Sequence, residues 1–101
     1  MELKHKVDGA QCSIACDGAM SGTSVAKVKE FLEPFLNDAS IKEIVLDMAN
    51  VSAIDSSGVG VLVRGYRVLM QRNAQIKLEG VRPKLQEIFK ITGLDKIFAA
   101  N

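Results

Sequence analysis

The run from Val45 to Val63, VLDMANVSAIDSSGVGVLV, constrains this chain more than any other stretch. Ile44-Val45-Leu46 is continuous and apolar, the composition of a strand covered on both faces, and the strand is expected over Ile41 to Met48. A short polar connection follows. A second short apolar stretch then stops at Asp55-Ser56-Ser57-Gly58, where a helical period begins. Two hydroxyls therefore stand beside a carboxylate at the start of a helix. A helix N-terminus carries orphan N–H groups and partial positive charge, so a phosphate placed there would be tolerated and would be visible to a partner.

The rest of the chain alternates in the same manner. Leu3 to Val7 and Gln11 to Cys16 read as strands joined by an Asp8-Gly9 hairpin turn. Ser21, Thr23 or Ser24 is expected to cap a helix to about Leu36, with Val25, Val28, Leu32, Phe35 and Leu36 on its apolar face. Pro34 falls in the last turn of that helix, where it would kink or shorten it. The helix opened near Ser57 should end near Arg72-Asn73, with Asn73 as a left-handed terminator. Gln75 to Glu79 is the next strand. Pro83 suits the first turn of a third helix, with Leu85, Ile88 and Phe89 as its stripe and Gly93 as its end. Leu94 to Ala99 reads as a short closing strand. An initial hairpin followed by alternating helices and strands implies one α/β domain over residues 1–101, with mostly parallel central strands covered by helices.

Composition removes several classes of function. Thirteen basic and twelve acidic side chains give a net charge of +1, and no basic block is interleaved with aromatics, so no nucleic-acid partner is expected. No apolar run approaches the ~20 residues of a membrane span. Met1-Glu2-Leu3-Lys4-His5-Lys6 has no apolar segment behind it, so it does not read as a signal peptide, and a cytoplasmic location without membrane attachment is expected. Cys12 and Cys16 would lie ~13 Å apart along one face of a strand, beyond the ~7 Å limit for a disulfide. They read as small buried hydrophobes, because no histidine or cysteine cluster accompanies them to hold a metal.

Catalytic patterns are missing too. The single histidine, His5, lies near the N-terminus, and no Gly-x-Ser-x-Gly elbow surrounds Ser56 or Ser57. Gly58-Val59-Gly60 lacks the third glycine of a dinucleotide fingerprint, and no P-loop lysine follows. Asp47 and Asp55 could form a carboxylate pair, but nothing in the sequence adds a third group. No enzymatic activity and no cofactor are expected. The helix after Ser57 places Val59, Leu62, Tyr66 and Leu69 at core spacing, with Val63 and Met70 beside them, and turns Val61 and Val68 to another side. Gly58 and Gly60 would allow close backbone approach. Arg64, Arg67 and Arg72 could pair with an acidic partner.

The Asp55-Ser56-Ser57-Gly58 turn between strand and helix resembles the phosphorylation loop of the STAS domain family, the anti-sigma factor antagonists of bacterial partner-switching systems. Val81-Arg82-Pro83-Lys84-Leu85 through Phe89, Thr92-Gly93-Leu94 and Ile97-Phe98 resemble the family's later helix and closing strand, so the likeness covers nearly the whole chain. It implies the family topology, an initial hairpin followed by βα units, with the last helix truncated or absent. It implies that Ser56 is the phosphoacceptor, with Asp55, Ser57 and Gly58 as its loop neighbours and Ser57 as the capping or phosphate-neighbouring hydroxyl. It further implies a partner surface at Val59, Gly60, Val61, Arg64 and Ser21. The implied partners are a GHKL-type serine kinase that doubles as anti-sigma factor and a PP2C-like phosphatase. The unphosphorylated form would hold the kinase, and the output would be transcription or another process. The segment Gly18-Ala19-Met20-Ser21 stands where many phosphorylated members carry Gly-Glu-Leu-Asp, and both acidic residues are absent here. Two other readings remain open: a constitutive STAS scaffold or transporter subunit in which Ser56 is only a cap, and a small-ligand or nucleotide domain using the helix N-terminus as an anion site.

Overall fold

The computed structural model describes residues 1–98. Strand β1 (Glu2–Asp8) and strand β2 (Gln11–Met20) form an antiparallel hairpin through Gly9, whose φ of 60° suits the left-handed turn. Helix α1 (Ser24–Leu36) leads to strand β3 (Glu43–Ile54), and helix α2 (Ser56–Met70) leads to strand β4 (Gln75–Glu79). Helix α3 (Pro83–Thr92) and a 3-10 turn, Leu94–Lys96, complete the described chain. The sheet order is β1-β2-β3-β4, with β2, β3 and β4 parallel.

The core lies on one side of this sheet. Cys12, Ile14, Cys16, Ile44, Leu46, Met48, Ile76 and Leu78 alternate inward and meet Val28 and Leu32 of α1, Leu62 and Leu69 of α2, and Leu85 and Phe89 of α3 in one cluster. Both thiols are buried as expected. Burial pushes Cys12 above its ordinary value, and burial together with the charge of Asp47 pushes Cys16 up to about 11, so both stay protonated at neutral pH.

Several expectations are corrected. The helices cover one face only, so Ile44-Val45-Leu46 is not sandwiched. Ile44 and Leu46 enter the core, whereas Val45 is buried outside it, on the opposite face. The apolar run misled because Val45 shares its face with polar strand positions rather than with a second helix layer. β3 does not stop at Met48 but continues through the polar stretch to Ile54, and β2 likewise runs to Met20. Their register shifts after Ala15 and again after Gly18, and these irregularities absorb residues that break the alternation. Leu94 to Lys96 forms a 3-10 turn instead of a closing strand, with Leu94 and Phe98 in the core, and Ala99 lies outside the described residues. Gly93, at φ 78°, ends α3 as expected, and Asn73 is left-handed at φ 59°, just beyond the end of α2 at Met70.

Arg72 does not stand free for an acidic partner. It is instead a clamp within the fold: its guanidinium donates to the carbonyls of Leu36 (3.2 Å), Ile41 (2.6 Å) and Phe35 (3.2 Å), closing the end of α1 onto the loop before β3. α1 reaches Leu36 despite Pro34. His5 lies in β1, its ring 5.0 Å from that of Phe35 and 5.7 Å from that of Phe31.

Candidate functional site

The long β3 carries the chain to the edge of the domain, where Asp55 adopts an extended backbone and α2 starts at Ser56. Asp55 is the helix cap. Its Oδ1 accepts from the Gly58 N–H at 2.9 Å and from the Ser57 hydroxyl at 2.7 Å. Its Oδ2 accepts from the Gly22 N–H at 3.0 Å, in the loop between β2 and α1. One carboxylate thus ties two loops together. The Ser57 hydroxyl first, then the N–H groups of Gly22 and Gly58, hold the Asp55 carboxyl down at about 2. It is therefore ionised throughout the physiological range.

Ser56 and Ser57 differ in what they are free to do. Ser57 is not the cap; its hydroxyl is committed to Asp55. Ser56 is exposed, and its hydroxyl enters no hydrogen bond among the described residues. Sequence reasoning could not separate the two, because either order of cap and free hydroxyl satisfies a helix start.

Gly58 is buried against the end of β2. A Cβ built there would stand 2.3 Å from the Met20 carbonyl oxygen and 2.8 Å from Ile54 Cγ1. The expected close approach is real at this glycine and absent at Gly60, which is exposed and has nothing within 4 Å of its virtual Cβ.

Along α2, Gly60 and Arg64 follow Ser56 at intervals of four residues and are exposed, with Val59 and Val63 half-buried beside them. Arg64 forms an ion pair with Glu33 of α1. Val61 does not join this surface: it is buried with Leu62, Gly65 and Leu69, because α2 packs through a broad face and Val61 lies within it. Ser21 is half-buried in the β2–α1 loop, where its carbonyl accepts from the Ser24 N–H at 3.2 Å. Thr23 occupies the cap position of α1, but its side chain makes no capping bond. Gly22, next to Ser21, was not singled out from sequence, yet its N–H joins this loop to Asp55. Asp47 lies on the helix-free face of β3 and is not brought to Asp55, so no carboxylate pair forms between them. Among the described residues, no cluster of histidine, cysteine and carboxylate side chains could hold a metal ion, and no helix is long and apolar enough to cross a membrane.

The site is thus one exposed serine hydroxyl on a strand-to-helix loop that Asp55 braces, in a small α/β domain. The family follows from comparison: the STAS domain matches residues 3–101, and the chain belongs to that family. A curated relative, the anti-sigma-B factor antagonist of Listeria monocytogenes, is 37% identical over 100 residues, covering 96% of this chain and 83% of the relative. The anti-sigma factor antagonist SpoIIAA in its unphosphorylated form has the same fold, with a TM-score of 0.84 at 19% identity over 99% of this chain and 88% of that one. The phosphorylated form of SpoIIAA, a cell fate determinant of Bacillus, gives a TM-score of 0.78 at 19% identity over 99% and 91%.

Proposed function

We propose that this protein is an anti-sigma factor antagonist switched by phosphorylation of Ser56. The observation that carries the reading is the contrast at the loop. The Ser56 hydroxyl is exposed and unengaged, whereas the Ser57 hydroxyl is held by Asp55. The role of the Listeria relative supports the output.

In this reading the unphosphorylated protein binds a GHKL-type serine kinase that doubles as anti-sigma factor, and a PP2C-like phosphatase restores that state. The protein acts in the cytoplasm, by binding and without turnover of its own. The contact surface comprises Ser56, Ser57, Val59, Gly60, Arg64 and the Ser21–Gly22 loop, with Val61 supporting it from below. Phosphorylation adds about −1.5 to −2 charges next to an Asp55 that is already ionised. A dianion desolvated against a partner costs several kcal/mol unless it is paired, enough to change affinity by orders of magnitude.

The test joins phosphosite mapping by mass spectrometry to pull-downs of the kinase-type partner. Phosphate is expected on Ser56. Ser56→Ala should hold the partner constitutively, Ser56→Asp should release it, and Ser57→Ala should keep regulation. Phosphate on Ser57 or Ser52, or equal retention by Ser56→Ala and Ser56→Asp, would return the protein to the constitutive scaffold reading.

A further inference from the structure

The Asp55 loop offers a kinase two adjacent hydroxyls, and something has to choose between them. Burial does not choose, because Ser56 and Ser57 are both exposed, and both lie in the first turn of α2. What separates them is the carboxylate before them. The Ser57 hydroxyl donates to Asp55 Oδ1 at 2.7 Å, whereas the Ser56 hydroxyl enters no hydrogen bond among the described residues. Helix geometry makes the difference. A side chain in the first turn leans back toward the N-terminus. Ser57, two residues past the cap, is thereby brought onto the Asp55 carboxylate, and Ser56, directly beside the cap, is not.

The carboxylate is itself held in place. Oδ1 also accepts from the Gly58 N–H at 2.9 Å, and Oδ2 accepts from the Gly22 N–H at 3.0 Å. Donors from two loops therefore fix the group that engages Ser57.

We infer that Asp55 is a positioning residue that decides which serine is phosphorylated, by holding the Ser57 hydroxyl out of the reaction. The inference rests on the phosphorylation reading above. In that step a bond forms between a serine Oγ and the γ-phosphorus of a nucleoside triphosphate. The bond from that phosphorus to the leaving diphosphate oxygen breaks, and the serine proton passes to a base of the kinase. Ser57 is handicapped at both ends of the step. Its proton is committed to Asp55, and a charge-assisted bond has to open first, a penalty of ~10- to 100-fold. After transfer the same oxygen would have no proton to donate, and a phosphate would stand against an ionised carboxylate. Ser56 has no such bond to open.

Phosphosite mapping by mass spectrometry of protein expressed in its native host tests the choice, with circular dichroism to confirm that each variant is folded. Wild type should carry phosphate on Ser56, with Ser57 at less than roughly a tenth of that level. Ser56→Ala should leave Ser57 as poorly modified as before. Adding Asp55→Ala to Ser56→Ala should raise phosphate on Ser57 at least ~tenfold. Asp55→Ala alone should divide the phosphate between the two serines. Asp55→Asn keeps a capping oxygen and should give the same shift to a smaller degree. A measurement without the kinase accompanies these: by NMR, the Ser57 hydroxyl proton of wild type should exchange with water more slowly than that of Ser56, and Asp55→Ala should remove the difference. Wild type modified at Ser56, with Ser57 still unmodified in every Asp55 variant, overturns the inference and spares the phosphorylation reading. Loss of Ser56 phosphate in Asp55→Ala, or equal hydroxyl exchange in wild type, does the same. Wild type with no phosphate on either serine overturns both.

Discussion

Two glycines two residues apart in α2 should respond to alanine with opposite signs. Gly58 sits where the helix start crosses the end of β2, and a Cβ would fall 2.3 Å from the Met20 carbonyl oxygen, 2.8 Å from Ile54 Cγ1 and 3.2 Å from Met20 Cγ. The first contact is with backbone, which has no rotamer to yield. That carbonyl also receives the Asp55 N–H at 3.4 Å, so moving it loosens the join between β2 and the loop. Overpacking of this kind costs about 1–3 kcal/mol, and because backbone has to move the upper part of that range applies. Relief of the glycine penalty in a helix returns up to ~1 kcal/mol. The expected net loss for Gly58→Ala is about 2 kcal/mol.

Gly60 carries the same helix penalty without the obstruction, since nothing lies within 4 Å of its virtual Cβ. Gly60→Ala should therefore gain about 0.5–1 kcal/mol. For a domain of this size 1 kcal/mol moves the melting temperature by roughly 4–8 °C, so the two variants should separate by about 10–24 °C, with wild type between them. Urea unfolding followed by circular dichroism gives the free energies directly, with an unchanged denaturant slope showing that only stability moved. If Gly58→Ala matches or exceeds wild type, the close crossing of α2 on β2 is wrong, and with it the account of how the loop is held.

Ser56→Asp should melt within a few degrees of wild type, because an exposed change at an unengaged hydroxyl falls within about ±0.5 kcal/mol. Ser57→Ala should raise the Asp55 pKa from about 2 toward an ordinary carboxylate value, since the Ser57 hydroxyl is the largest cause of the depression; carbon-detected NMR titration of the carboxyl reads it. Asp55 has a folded pKa below its unfolded one, so its contribution is complete above about pH 4. That contribution is lost as pH falls through about 2, and Asp55→Asn should melt less steeply with acid over that window than wild type does. Arg72→Ala should cost about 1–3 kcal/mol by removing the donor from the Leu36 and Ile41 carbonyls, while the Phe35 carbonyl keeps the Asp38 N–H, and Arg72→Lys should recover little, because an ammonium cannot reproduce the guanidinium fork.

Element order was legible because apolar periodicity is strong where one face is buried. Gln75 to Glu79 alternates cleanly and is found as expected, and Pro83 and Gly93 bracket α3. What escaped sequence reasoning was non-local. Asn50 and Ser52 are polar and exposed, yet they belong to β3 because β2 continues beside them through a shifted register. Leu94 and Phe98 looked like strand residues because burial alone makes a position apolar, whichever backbone carries it. At the site, the Asp-Ser-Ser-Gly spacing marked the loop, but the assignment of Ser57 to Asp55 depends on one hydroxyl rotamer, and the Gly22 contact joins residues 33 apart.

Those two contacts decide how a phosphate on Ser56 would be felt. The positive end of α2 is already met by Asp55, which caps it through Gly58 and stays charged. A second anion on Ser56 therefore finds the helix N-terminus partly neutralised and a carboxylate next to it, so it gains less from the dipole than a phosphate at an uncapped helix would. The loop has little reason to rearrange around it, because Asp55 is fastened on both oxygens and Gly58 leaves no room for α2 to slide on β2. The charge has to be balanced by water or by whatever covers the loop. A partner that presents an arginine there would tolerate the modification, and one that presents a carboxylate or an apolar patch would be expelled. On the proposed reading the domain would supply a rigid mount, and the surface of the partner would set the sign of the response.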